Sequence, residues 1–128
     1  MFSNVDFFTF SLSQLFHLGG IELVNITNYP VWFSANTTLV ELKCSFKGWP
    51  RPRIFWRIPD RKKLIINGSE SFYLTEKLVG EDTITSFLRN PNIQQKHEGI
   101  YECLAITTID VGKPVVKSQE IELLYNCK

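Results

Sequence analysis

Charge of one sign is what this sequence lacks most. Its 14 basic residues stand against 13 acidic ones, which leaves a net charge of +1. No global field would draw such a chain to nucleic acid or to an anionic membrane surface, so no nucleic-acid partner is expected. Metal-ligand clusters are missing too. Cys44, Cys103 and Cys127 lie far apart, and His17 and His97 complete no ligand set around them. Neither a metal nor any other cofactor is expected. The sequence offers no phosphate loop, no paired carboxylates and no nucleophile beside a base. A catalytic residue is therefore named nowhere, and the chain is not expected to be an enzyme. Beyond the first twenty residues, no apolar run is long enough to span a bilayer, so a membrane link is expected only through an anchor absent from this chain. Internal repeats, low-complexity linkers and any helical periodicity are also wanting.

What is present reads as one globular domain. Hydrophobic residues make up 44% of the 128 positions and charged residues 21%, enough apolar material for a core of its own. From Ile21 onward, short apolar alternations are separated by turn signals. Strands are predicted over Ile21–Ile26, Leu39–Phe46, Arg53–Ile58, Lys63–Ile66, Phe72–Val79, Thr83–Leu88, Ile100–Thr107 and Val115–Leu124. Pro30–Ser34 is expected to continue the first strand past a proline kink, as an edge strand tolerates. Within the second long strand, Val40, Leu42, Cys44 and Phe46 share the inward parity; Ile54, Trp56 and Ile58 do so on the next. Strands at this spacing with no intervening helix mean an all-β sandwich or barrel.

Three cysteines are read most simply as a pair with one left over. Three glycosylation sequons begin at Asn25, Asn36 and Asn67. Together they favour a secretory, oxidising compartment and an extracellular location, secreted or at the cell surface. Residues 1–20 carry an apolar stretch, Phe7 to Phe16, followed by Gly19-Gly20, which suits a signal peptide. The preceding segment has no Lys or Arg and carries Asp6, which suits an extra N-terminal segment instead; both readings stand.

One constellation narrows the fold. Cys44 lies on an inward parity, Trp56 follows on the next strand, and Tyr101-Glu102-Cys103 comes near the end. With Gly48-Trp49-Pro50-Arg51-Pro52-Arg53-Ile54-Phe55-Trp56, and Leu88, Ile93, Gly99 and Ala105, the chain resembles the I-set immunoglobulin domains of cell-adhesion molecules and receptors. The resemblance covers roughly residues 21–125, with 126–128 as a C-terminal end. It implies a Greek-key β-sandwich of two antiparallel sheets with one inter-sheet disulfide, Cys44–Cys103. Trp56 would cover the sulfurs, Leu88 would fill the core, and Tyr101 would aim its hydroxyl at backbone in the preceding corner. Two positions depart from the family pattern. His97 replaces an Asp whose salt bridge Glu98 would have to supply, and Asn90, followed by Pro91, replaces an aliphatic residue, so that strand is expected to end bent or short.

The site expectations follow from parity. Arg53, Phe55 and Arg57 lie opposite to Trp56, while Ile100, Glu102, Leu104 and Ile106 lie opposite to Tyr101 and Cys103. These residues would share the outer face of one sheet, an apolar cluster ringed by charge of the kind that marks a contact surface. The family commonly uses this face for homophilic or receptor–ligand contacts. The expected function is protein recognition in cell adhesion or receptor binding, with a homophilic or heterophilic protein partner. The competing readings are a structural spacer, a fragment of a larger multi-domain receptor or array, and a secreted receptor-blocking factor. A second candidate is the basic run Lys47, Arg51, Arg53, Arg57, Arg61, Lys62 and Lys63, either a patch for an acidic partner or an ordinary solvated face. Cys127 is read as an interchain disulfide, as the partner of a cysteine in a following part of a longer protein, or as a free thiol.

Overall fold

The computed structural model describes residues 20–108 and 114–127. The N-terminal segment of disputed role and the connection at 109–113 lie outside the described residues, save Gly20. The chain forms strands β1 (Ile21–Ile26), β2 (Val31–Ser34), β3 (Val40–Gly48), β4 (Arg53–Ile58), β5 (Lys63–Leu64), β6 (Tyr73–Val79), β7 (Thr83–Asn90), β8 (Gly99–Thr108) and β9 (Pro114–Asn126). They make a four-stranded sheet in the order β1-β3-β7-β6 and a five-stranded sheet in the order β2-β9-β8-β4-β5. Every ladder is antiparallel except β2 against β9, which is parallel.

Period-two alternation builds the core. Val40, Leu42, Cys44 and Phe46 on β3 are all buried, and so are Ile84, Ser86 and Leu88 on β7. The register sets Leu42 beside Leu88 and Phe46 beside Ile84. From the other sheet come Ile54, Trp56, Tyr101, Cys103, Ala105, Ile121 and Leu123. Side chains from two inner faces thus interdigitate in a single layer. Cys44 and Cys103 are bonded across it, at a sequence separation of 59. Trp56 sits beside Cys103 in the β4–β8 register and is 1% exposed. Burying such a ring removes about 200 Å² from water, worth about 5 kcal/mol. Its indole Nε1–H donates to Ser86 Oγ of the opposite sheet at 2.8 Å, so the buried donor is satisfied. Gly48 closes β3 where the chain passes very near: a Cβ there would stand 2.7 Å from the carbonyl oxygen of Gly20.

Several local expectations are corrected. Val31–Ser34 does not continue β1. It crosses to the other sheet and pairs in parallel with Leu123–Asn126. Pro30, which has no N–H to offer β3, stands at the switch. The apolar side chains decide the rest: Phe33 is 3% exposed and packs edge-on against Tyr125 at 5.2 Å. The end of β7 is not shortened either. Asn90 remains in the ladder opposite Val40 and turns inward at 2% exposure. Its amide donates to the Glu70 carbonyl at 3.2 Å and its Oδ1 accepts from Asn92 N–H at 2.9 Å, which satisfies a polar side chain at an inward position where an aliphatic one was expected. The predicted Lys63–Ile66 strand contracts to Lys63–Leu64, because the chain turns away at Ile66, whose carbonyl accepts the Ser69 N–H at 2.9 Å. Ile65 still hooks back, donating its N–H to the Trp56 carbonyl at 2.9 Å.

Candidate recognition face

The outer face of the five-stranded sheet is laid out by register. Across β4, β8 and β9 run the rows Arg53–Ile106–Val116, Phe55–Leu104–Ser118 and Arg57–Glu102–Glu120; Ile100 pairs with Glu122 in the next. Basic residues therefore sit on the β4 side, acidic ones on the β9 side, and aliphatic ones mainly on β8 between them. Phe55, Ile100, Leu104 and Ile106 are half-buried by their neighbours in the sheet, and Val116 is 52% exposed. Arg53 is exposed and lays its guanidinium 5.4 Å from the centre of the Phe55 ring, a cation–π contact that holds the ring in place.

Glu102 differs from the rest of the predicted face. It is only 8% exposed, because Arg57 folds over it. Arg57 Nε–H donates to Glu102 Oε1 at 2.9 Å, and Nη2–H reaches the same oxygen. This pair ties β4 to β8 in the middle of the face, and Glu102 is a support beneath it rather than a contact point.

The sequence reading omitted the β9 column. Val116, Ser118, Glu120 and Glu122 are all exposed and extend the face. The signal was in the chain: these positions alternate with inward Gln119, Ile121 and Leu123. Tyr29, 53% exposed, completes a hollow of about 220 Å³ with Ile100, Glu120 and Glu122. Trp32, 60% exposed, stands beside Leu124 at the β2 edge.

The basic run is not one patch. Lys47 lies 3.8 Å from Asp82, Arg51 Nη1–H donates to the Gly80 carbonyl at 3.0 Å, and Arg61 and Lys63 lie 3.4 and 3.9 Å from Glu70. With Arg57 on Glu102, the cations separate into local pairs on different parts of the surface. A groove of about 450 Å³ is bordered by Ile21, Glu22, Lys47, Gly48, Trp49 and Asp82, and brings together no nucleophile with a base. Among the described residues, no group of histidine, cysteine and carboxylate side chains is placed to hold a metal, and no helix is long and apolar enough to cross a membrane.

The corner before β8 carries the remaining sequence candidates. Tyr101 is buried and its hydroxyl donates to the His97 carbonyl at 2.5 Å; burial pushes the phenol well above its ordinary pKa. Among the described residues, Glu98 makes no salt bridge in place of the missing Asp. Its Oε2 accepts the Tyr125 N–H at 2.9 Å and so pins the end of β9. The sequon residues Asn25, Asn36 and Asn67 are exposed and lie on β1, after β2 and after β5, away from the rows just described. Cys127 is exposed and has no partner cysteine.

A family model for the immunoglobulin domain matches residues 25–106. No curated protein matches the chain by sequence. Among solved structures, the eight N-terminal immunoglobulin domains of Down Syndrome Cell Adhesion Molecule superpose with a TM-score of 0.66 at 22% identity, over 83% of this chain and 12% of that one. Dpr1 IG1 bound to DIP-eta IG1 gives 0.59 at 17% identity, over 84% of this chain and 96% of that one. The BTLA ectodomain gives 0.59 at 14% identity, over 84% and 99%. The chain thus spans about an eighth of the first of these.

Proposed function

Since this chain belongs to the immunoglobulin-domain family, we propose that it is an extracellular recognition module, of the I-set kind, whose contact surface is the outer face of β4, β8 and β9. One observation carries the reading: the half-open apolar strip of Phe55, Leu104, Ile106 and Val116 crosses the face from β4 to β9, with Arg53 and Arg57 on the β4 margin and Glu120 and Glu122 on the β9 margin. An apolar centre with charged margins is the anatomy of a protein contact, where burial supplies affinity and the margins set orientation. The domain it defines spans residues 21–125.

The arrangement of charge favours a second copy of the chain as partner. Turned about a two-fold axis parallel to β8, one face lies on another with the β4 column of each over the β9 column of the other. Arg57 then stands opposite Glu120, and the aliphatic residues of β8 meet along the axis. A two-fold contact of this kind is self-complementary and closes at a dimer. Glycans at Asn25, Asn36 and Asn67 would leave the face open, which suits adhesion between surfaces that both display the chain.

Beads coated with the glycosylated domain test this. The reading expects them to cluster, and expects clustering to weaken at high salt, where the Arg57–Glu120 attraction is screened. Beads carrying Glu120→Lys would set like charges against each other and cluster poorly. Beads that fail to cluster at any salt, or cluster equally well with Glu120→Lys, would remove the second copy as partner.

A further inference from the structure

His97 is buried at 3% exposure in the corner between β7 and β8, and its two ring nitrogens are treated differently. Nδ1 accepts the Gln94 N–H at 2.9 Å, while the His97 N–H donates to the Gln94 carbonyl at 2.9 Å, and the two bonds close one turn. An acceptor Nδ1 places the proton of the neutral ring on Nε2. Nε2 is buried and, among the described residues, is the side-chain polar atom left without a hydrogen-bond partner.

The surroundings resist a second proton. Phe72 stands edge-on at 5.4 Å, and Tyr101 packs behind Phe72 at 5.9 Å. Desolvation by burial lowers the His97 pKa below 6.5; Lys96 on its own turn and Arg61 lower it further, while Glu70 and the hydrogen bonding with the Gln94 backbone oppose them without reversing the shift. Glu70 is already engaged by Arg61 and Lys63, at 3.4 and 3.9 Å. A proton arriving at the neutral ring has only Nδ1 to bind. It would convert that acceptor into a donor facing the Gln94 N–H, with the Nε2–H still unpaired.

We propose that His97 is an acid-operated latch on the β7–β8 corner. Neutral, it closes the turn from Gln94 to His97, whose carbonyl holds the Tyr101 hydroxyl. Protonated, it leaves its pocket, opens the turn and frees that hydroxyl. The Cys44–Cys103 bond keeps the two sheets together meanwhile, so the acid form is a folded domain with an open corner. The sign follows from the lowered pKa. The open form, with an ordinary histidine, binds the proton more readily than the closed one. The latch is therefore indifferent to pH well above 6.5 and weakens as pH falls through that value. The inference is independent of the recognition face.

The test is a titration of the folded chain by imidazole nitrogen NMR, with amide exchange followed at Gln94, in a His17→Asn background that leaves His97 as the one histidine. The expected result is an Nε2–H tautomer, a pKa below 6.5, and a Gln94 protection factor that falls by up to about tenfold per pH unit from pH 6.5 down to that pKa and then levels off. His97→Gln keeps an acceptor oxygen without a titrating group and should hold Gln94 protection constant over the same range. If that variant fails to fold, the spectra of the parent decide. A His97 pKa at or above 6.5, an Nδ1–H tautomer, or Gln94 protection unchanged through the titration would overturn the latch.

Discussion

At the scale of single residues, the polar atoms of the core are more informative than the apolar ones. Trp56 and Ser86 bond across the two sheets, with Ser86 only 2% exposed. Ser86→Ala would leave the indole N–H buried and unpaired, and chemical denaturation should show a loss of about 1–3 kcal/mol. Asn90→Ala should cost a similar amount, about 1–3 kcal/mol by the same measurement, because it abandons the Glu70 carbonyl and the Asn92 N–H together. These two residues also show what a sequence can and cannot disclose at this scale. The apolar inward positions, Val40 through Phe46 and Ile54 with Trp56, follow from alternation alone, and the structure buries Val40, Leu42, Cys44, Phe46, Ile54 and Trp56. Asn90 and His97 were visible only as departures from a family pattern. Their roles depend on Glu70 and Phe72, which lie outside their own strand and turn and which no local pattern connects to them.

At the scale of elements, strand positions were legible and strand partners were less so. The alternation that marks β2 says that Phe33 must be buried, but it does not say in which sheet. The contact with Tyr125 and the parallel pairing with β9 settle that, and both are long-range. Glu98 acts at the same junction by holding the Tyr125 N–H. Glu98→Ala should therefore speed amide exchange at Tyr125 while lowering global stability by no more than about 1 kcal/mol, since the site is solvent-exposed. The bond between β3 and β8 works differently. It closes a long loop in the unfolded chain, so replacing Cys44 and Cys103 by alanine together should lower the unfolding free energy by about 4 kcal/mol on the chain-entropy model. The change would be read as a lower denaturation midpoint.

At the scale of the whole molecule, one sheet surface distinguishes itself by the order of its charges rather than by their number. Net charge is near zero, yet the β4 and β9 margins of the face carry opposite signs with aliphatic residues between. The β4 and β8 half of this face was readable from parity. The β9 half was equally readable but became meaningful only once register placed Glu120 beside Glu102 and Val116 beside Ile106. For the basic run, read as either a patch or an ordinary solvated face, the fold favours the second, since it divides the cations among Asp82, Glu70, Glu102 and the Gly80 carbonyl. Sedimentation equilibrium of the glycosylated chain, beside a Phe55→Asp variant whose melting temperature matches the parent, tests the central claim most directly. The account predicts a concentration-dependent dimer for the parent and a monomer for Phe55→Asp. A parent that stays monomeric at every concentration, or a variant that dimerises equally well, would contradict it.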